Sequence, residues 1–164
     1  MNFDLTDSQQ AIQQHARRLA QEAMAPRAAH WDQTEQYPHE NVAELVQAGF
    51  MGMTVPVAYG GQGRSLIEAI LVVEEMAKVC GITGRIVVEG NMGAVGAITA
   101  YGTEAQKQRY LPLVVQGDKP AIAISEPEAG SAATGVTFSP KWPTASRRKS
   151  RQQLAIRLRP ITKP

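Results

Sequence analysis

Apolar positions recur at helical spacing through "SQQAIQQHARRLAQEAMAP", where Ile12, Ala16, Leu19 and Ala23 share a face, predicting an amphipathic helix that Pro26 stops. A shorter helix is predicted over "HENVAELVQAG", after Tyr37-Pro38 and ending at Gly49. The next stretch, "FMGMTVPVAYGGQG", holds too many Gly and Pro residues for a helix and reads as an extended turn carrying a packed aromatic, Tyr59. From Ser65 to about Cys80, "SLIEAILVVEEMAKVC" is apolar on most of its surface, which predicts a helix in the middle of a bundle. "TEAQKQRYLPLVVQG" predicts another helix, after which the period changes and "KPAIAIS" reads as a strand.

Three of these helices open on the same signature. Thr6 with Gln9, Ser65 with Glu68 and Thr103 with Gln106 fit the capping box, in which two side chains satisfy the free backbone donors of a helix start. Between the last two boxes lies "GITGRIVVEGNMGAVGAITAYG", with Gly90, Gly93 and Gly96 three apart on a stretch that otherwise reads helical. Each glycine costs roughly 1 kcal/mol relative to Ala in a helix interior. Two explanations stand side by side: close approach of another backbone, or room left for a ligand.

Charge divides the chain. Residues 1–134 carry nine basic and fifteen acidic side chains, a net of −6, whereas residues 135–164 carry eight basic and no acidic ones, a net of +8. No aromatic spacing, zinc-ligand pattern or amphipathic register accompanies the basic segment, so no nucleic-acid partner is expected. No apolar run reaches the ~20 residues of a membrane span, and "MNFDLTDSQQ" is acidic where a secretory signal would be basic; a cytoplasmic location without membrane attachment is expected. The lone Cys80 closes an apolar helical run and reads as a buried thiol without a role. His15 and His30 read as helix-surface residues and His39 as a helix entry; no metal-ligand spacing links them, and no metal site is expected. Arg85 lies beside Ile86, Val87 and Val88. A guanidinium among such neighbours reaches solvent, pairs with Glu89 at i+4, or faces a cavity that takes an anion.

"IAISEPEAGS" resembles the flavin-contacting signature of the acyl-CoA dehydrogenases. "GFMGMTVPVAYGGQG" is similar to that family's Gly-Pro-Tyr-Gly-Gly motif, and "YGTEAQKQRYLPLVVQGDKPAIAISEP" to its helix-to-strand passage, so the resemblance runs from Met1 to about Thr134. It implies a mostly α architecture: an N-terminal helical bundle over 1–117, then the first strand and flavin loop of a middle β-domain over 118–134. Residues 135–164 are expected to be a basic, unstructured tail outside the family pattern. By the same resemblance FAD would be contacted by Ile122, Ala123, Ile124, Ser125, Glu126, Pro127, Glu128, Ala129, Gly130 and Ser131, with Ser131 also touching the CoA portion of the substrate. The chemistry implied is α,β-desaturation of a short acyl-CoA thioester, in which a carboxylate removes the α-proton as a hydride passes to the flavin. That base comes from the family's C-terminal domain, so no catalytic residue is assigned within this sequence, and Glu126 is read as structural. Family members are homo-oligomers.

"TGRIVVEGNMGAVGAITAYG" and "EEMAKVC" are similar to the 3-sulfinopropionyl-CoA desulfinase group, whose arginine on this helix faces the anionic end of a short acyl chain. Arg85 matches that arginine. From Gly135 onward "GVTFSPKWPTASRRKSRQQLAIRLRPITKP" lacks alternating strands, the family's Asn-Gly turn and its Trp-Ile-Thr segment. Such an abrupt change is what a shifted reading frame would produce, and the sequence alone leads one to expect no flavin-dependent activity from these residues in isolation. A non-catalytic helical binding or assembly module is the alternative to an enzyme part.

Overall fold

The structure, a computed structural model, describes residues 4–122 and the two-residue strand at 156–157. Seven α-helices occupy most of the described residues: α1 (Asp7–Leu19), α2 (Ala25–Thr34), α3 (His39–Gln47), α4 (Leu66–Ala77), α5 (Gly81–Asn91), α6 (Ala94–Tyr101) and α7 (Glu104–Val115). A short strand, β1 (Ala121–Ile122), follows and pairs antiparallel with β2 (Ile156–Arg157), Ala121 opposite Arg157 and Ile122 opposite Ile156. Apart from β2, the expected tail lies outside the described residues, as does the expected flavin loop beyond Ile122.

All three capping boxes form. Thr6, Ser65 and Thr103 each accept from the backbone of the residue three on, and Gln9, Glu68 and Gln106 each reach back to the cap residue's N–H. The pattern is legible in sequence because every partner lies within one turn.

Pro26 does not stop the first helix. A π-helical turn over Ala20–Met24 joins α1 to α2, and Pro26 falls in the first turn of α2. A first-turn residue needs no backbone N–H, so the register shift of the π turn accommodates the proline without a break. The buried face of this long run is Ile12, Ala16, Ala20 and Met24, a strict i+4 series; Leu19 and Ala23 flank it, half-buried.

That stripe packs with Leu45 of α3, Val72 and Met76 of α4, Ile86 and Val87 of α5, and with Phe50, Met51 and Met53 of the connector. The first part of the connector, Phe50 to Val55, is therefore built into the core, whereas Val57 is exposed. A smaller second cluster joins Val55 to Val95 and Ile98 of α6 and Leu111 and Val114 of α7, and Tyr59 packs against it while its hydroxyl donates to Glu104 Oε2 at 2.9 Å. Helix α4 packs against both α1 and α5, as its apolar character predicts, yet Leu66, Ile67 and Ile70 on its N-terminal half are exposed.

Among the described residues, Asn41, Glu75, Thr83 and Asn91 are polar or charged and buried. Glu75 is 3% exposed, and Arg17 grips it with two hydrogen bonds of 3.0 and 3.1 Å while Lys78 adds a third at 3.1 Å. Asn41, on α3, donates to the Thr83 hydroxyl at 2.8 Å, and that hydroxyl donates to Cys80 Sγ at 3.0 Å. Cys80 is buried, as expected, and serves as an acceptor.

Candidate functional site

The glycine-rich stretch is two helices, not one. Helix α5 ends at Asn91, Met92 is extended, and Gly93 has φ +55° and ψ −109°, a conformation that L side chains rarely adopt. Gly93 is thus a hinge between helices and carries no helix-interior cost. The two explanations left open by the sequence separate here. A Cβ on Gly90 would lie 2.6 Å from Met51 Cε, so that glycine serves close packing; a Cβ on Gly96 would meet nothing within 4 Å, so the face it occupies is open.

Asn91 holds the break. Its amide donates to the carbonyls of Phe50 at 2.8 Å and Val87 at 3.0 Å, and its Oδ1 accepts from the backbone N–H of Met53 at 2.6 Å. Thr54 closes the arrangement by donating its hydroxyl to the Asn91 carbonyl at 2.6 Å. One buried amide thereby ties the core connector to the α5–α6 corner. The sequence reading missed it, although a polar residue between Gly90 and Met92-Gly93 is a stop signal of a recognisable kind.

Within the two turns before the break, Arg85 and Glu89 project from α5. Arg85 Nε donates to Glu89 Oε1 at 2.9 Å, and its side chain is 70% exposed. The i+4 pairing is the one the sequence allowed for. The two terminal nitrogens of Arg85 meet no acceptor among the described residues. Glu89 Oε2 is taken by the Lys119 ammonium at 2.5 Å. Burial opposes charge on Glu89, but the hydrogen bonds from Lys119 and Arg85 prevail and hold its carboxyl below the usual carboxylate range. Lys119 also stands 5.1 Å from the centre of the Tyr37 ring. Burial, with the negative charges of Glu89 and Asp118, pushes the Tyr37 phenol up to about 12, and its hydroxyl is buried without a hydrogen-bond partner among the described residues.

Lys119 lies on the passage into β1, and the strand itself reaches the break: a Cβ on Gly93 would stand 3.1 Å from Ile122 Cδ1. Ile122 is therefore seated beside the hinge while remaining exposed. Of the residues expected along a flavin, Ile122 is the one described, and its free apolar surface suits an aromatic ring system; residues 123–131, including Ser125 and Ser131, lie outside the described residues. The structure brings Arg85 and Ile122, where the expected flavin segment begins, to one corner through Glu89, Lys119 and Gly93. No local pattern points to Lys119, whose partner Glu89 is 30 residues away.

A separate groove of about 580 Å³ lies between the end of α2 and the α4–α5 corner, lined by Trp31, Val79, Cys80 and Ile82 among others. Neither Arg85 nor Ile122 is among its described lining residues. No group of three His, Cys, Asp or Glu side chains among the described residues could hold a metal ion, and no helix there is long and apolar enough to cross a membrane.

Comparison with known proteins bears on this corner. The chain is 58% identical over 132 residues to a 3-sulfinopropanoyl-CoA desulfinase of Paraburkholderia xenovorans, a match covering 80% of this chain and 34% of that protein. It is 40% identical over 132 residues to a short-chain-specific acyl-CoA dehydrogenase of Clostridium acetobutylicum, covering 80% and 35%. The solved butyryl-CoA dehydrogenase of Megasphaera elsdenii superposes with a TM-score of 0.73 at 32% identity, covering 82% of this chain and 36% of that one. The chain spans about a third of the length of the relatives it matches. Residues 6–118 match the family described as acyl-CoA dehydrogenase, N-terminal domain, and with the helical bundle and its exit into β1 this places the chain in the acyl-CoA dehydrogenase family.

Proposed function

We propose that these residues are the N-terminal helical part of a flavin-dependent acyl-CoA enzyme that acts on a short acyl chain ending in an anion, after the manner of a 3-sulfinopropanoyl-CoA desulfinase. The observation carrying this reading is Arg85: an exposed guanidinium, held at Nε and open at both terminal nitrogens, beside the corner from which the flavin segment departs. A planar fork with two free donors suits a carboxylate or sulfinate and offers nothing to an uncharged acyl tail. Identity of 53–58% to four desulfinases supports the same choice.

In this reading Ile122 to Ser131 line FAD, Ser131 reaches the CoA moiety, and the glycine face at Gly96 leaves room beside the acyl chain. The flavin, when bound, supplies a planar electron acceptor against which the acyl chain is aligned. Arg85 orients the acyl end, Glu89 and Lys119 orient Arg85, and the hinge at Gly93 fixes the distance to β1. Acyl-CoA as the partner molecule, cytoplasmic location and assembly as a homo-oligomer belong to the same reading.

Desaturation of an uncharged short acyl-CoA is the second reading, favoured by the 40% identity to the short-chain-specific dehydrogenase. The experiment that separates the two joins residues 1–134 in frame to the remainder of a desulfinase relative and compares 3-sulfinopropanoyl-CoA with butyryl-CoA. Turnover of the sulfinate substrate with little action on butyryl-CoA is expected. Preference for butyryl-CoA would favour the dehydrogenase reading, and a joined protein that folds but retains no flavin would contradict both.

A further inference from the structure

Glu89 has two oxygens and two cations, one on each. Arg85 reaches Oε1 through Nε, and Lys119 reaches Oε2 from the other side. A carboxylate left alone beside an arginine closes a two-bond fork on it, taking Nε and one terminal nitrogen together. The present geometry gives one bond instead, and the oxygen that would make the second is held by the ammonium.

We infer that Lys119 is a specificity-determining positioning residue: by occupying Glu89 Oε2 it keeps Glu89 from closing on Arg85 and so leaves the terminal nitrogens of Arg85 open to a sulfinate or carboxylate at the end of the acyl chain. The inference rests on the reading of Arg85 given above. Lys119 is well placed for the task. Its ammonium stands over the Tyr37 ring, which fixes its direction, and it lies between the buried Gly117 and Pro120 on the passage that seats Ile122 against Gly93. The acyl-end arginine and the entry to the flavin segment are thus tied to the two oxygens of one carboxylate.

The test uses the full 164-residue chain with ¹⁵N-labelled arginine. The Arg85 Nε–H resonance, assigned by its loss in Arg85→Met, is followed as sodium methanesulfinate is added at constant ionic strength. In the parent chain the resonance should shift saturably. Lys119→Met should need at least about threefold more methanesulfinate for the same shift, since Glu89 then competes for the fork. Lys119→Met with Glu89→Gln restores the parent's net charge in this cluster and removes the competitor, and should return to within about twofold of the parent. If Lys119→Met binds as the parent does, or the double variant binds as weakly as Lys119→Met alone, the role of Lys119 is overturned while that of Arg85 stands. If Arg85 responds in no variant, including the parent, the reading of Arg85 fails and this inference falls with it. Should Lys119→Met lose its helical spectrum, Lys119→Gln, read at the same resonance, decides by the same criterion.

Discussion

Asn91 carries more of the structure than its size suggests, because every hydrogen-bonding group of its amide is used and every partner is backbone. Replacing it by Ala would leave the Met53 N–H and the Phe50 carbonyl without partners in a closed interior, and a buried group stripped of its partner costs about 1 to 3 kcal/mol. Asn91→Ala should therefore lower unfolding stability by about 2 to 4 kcal/mol in a urea melt. A loss below about 0.5 kcal/mol would show that water replaces the amide. Glu75 makes a second residue-scale case. Its hydrogen bond from Arg17, opposed by burial and aided by Lys78, holds its carboxyl below its ordinary value of 4.5. The stabilisation from a depressed carboxyl is fully present above the unfolded value and is lost as pH falls through the folded one. Stability of the parent should accordingly drop as pH is lowered from about 5 towards 3, and Glu75→Gln should flatten that part of the profile. An unchanged acid slope in the variant would assign the loss to other carboxylates.

At the scale of elements, the glycines of α5 and α6 make opposite predictions. A Cβ on Gly84 would lie 2.7 Å from Ala77 Cβ and 2.9 Å from Ala77 Cα, a backbone that cannot step aside, so Gly84→Ala should destabilise by about 1 to 3 kcal/mol. Gly96 has open space, and Gly96→Ala should stabilise the chain by about 0.5 to 1 kcal/mol through helix propensity alone. Paired thermal melts check both signs, and a destabilising Gly96→Ala would mean that the face is occupied. Helix starts were legible in the sequence because Thr6, Ser65 and Thr103 find their partners three residues away. The continuation past Pro26 was not, since it depends on a π turn whose hydrogen-bond shift leaves no mark in the hydrophobic pattern. Nor was the break at Gly93: three glycines at equal spacing look alike in sequence, and only tertiary neighbours distinguish one that packs, one that turns and one that faces open space.

At the scale of the whole molecule, the candidate site is a corner held by long-range polar contacts, which explains how it was read in part. Arg85 and its local partner Glu89 were legible at i+4, and the motif leading to Ile122 was legible from its residue types. Lys119 and Asn91 were not, because their partners lie 30 and up to 41 residues away and no periodicity links them. In the proposed reading, this corner senses the charge at the end of the acyl chain through Arg85. The most direct measurement is the ratio of kcat/KM for 3-sulfinopropanoyl-CoA to that for butyryl-CoA, in residues 1–134 joined to a desulfinase relative's remainder, with and without Arg85→Met. Loss of a charge-assisted fork predicts a fall of about ten- to a hundredfold for the anionic substrate, at ~1.4 kcal/mol per decade, with butyryl-CoA spared or improved. A ratio that Arg85→Met leaves unchanged would show instead that Arg85 takes no part in choosing the substrate and is a surface residue paired with Glu89.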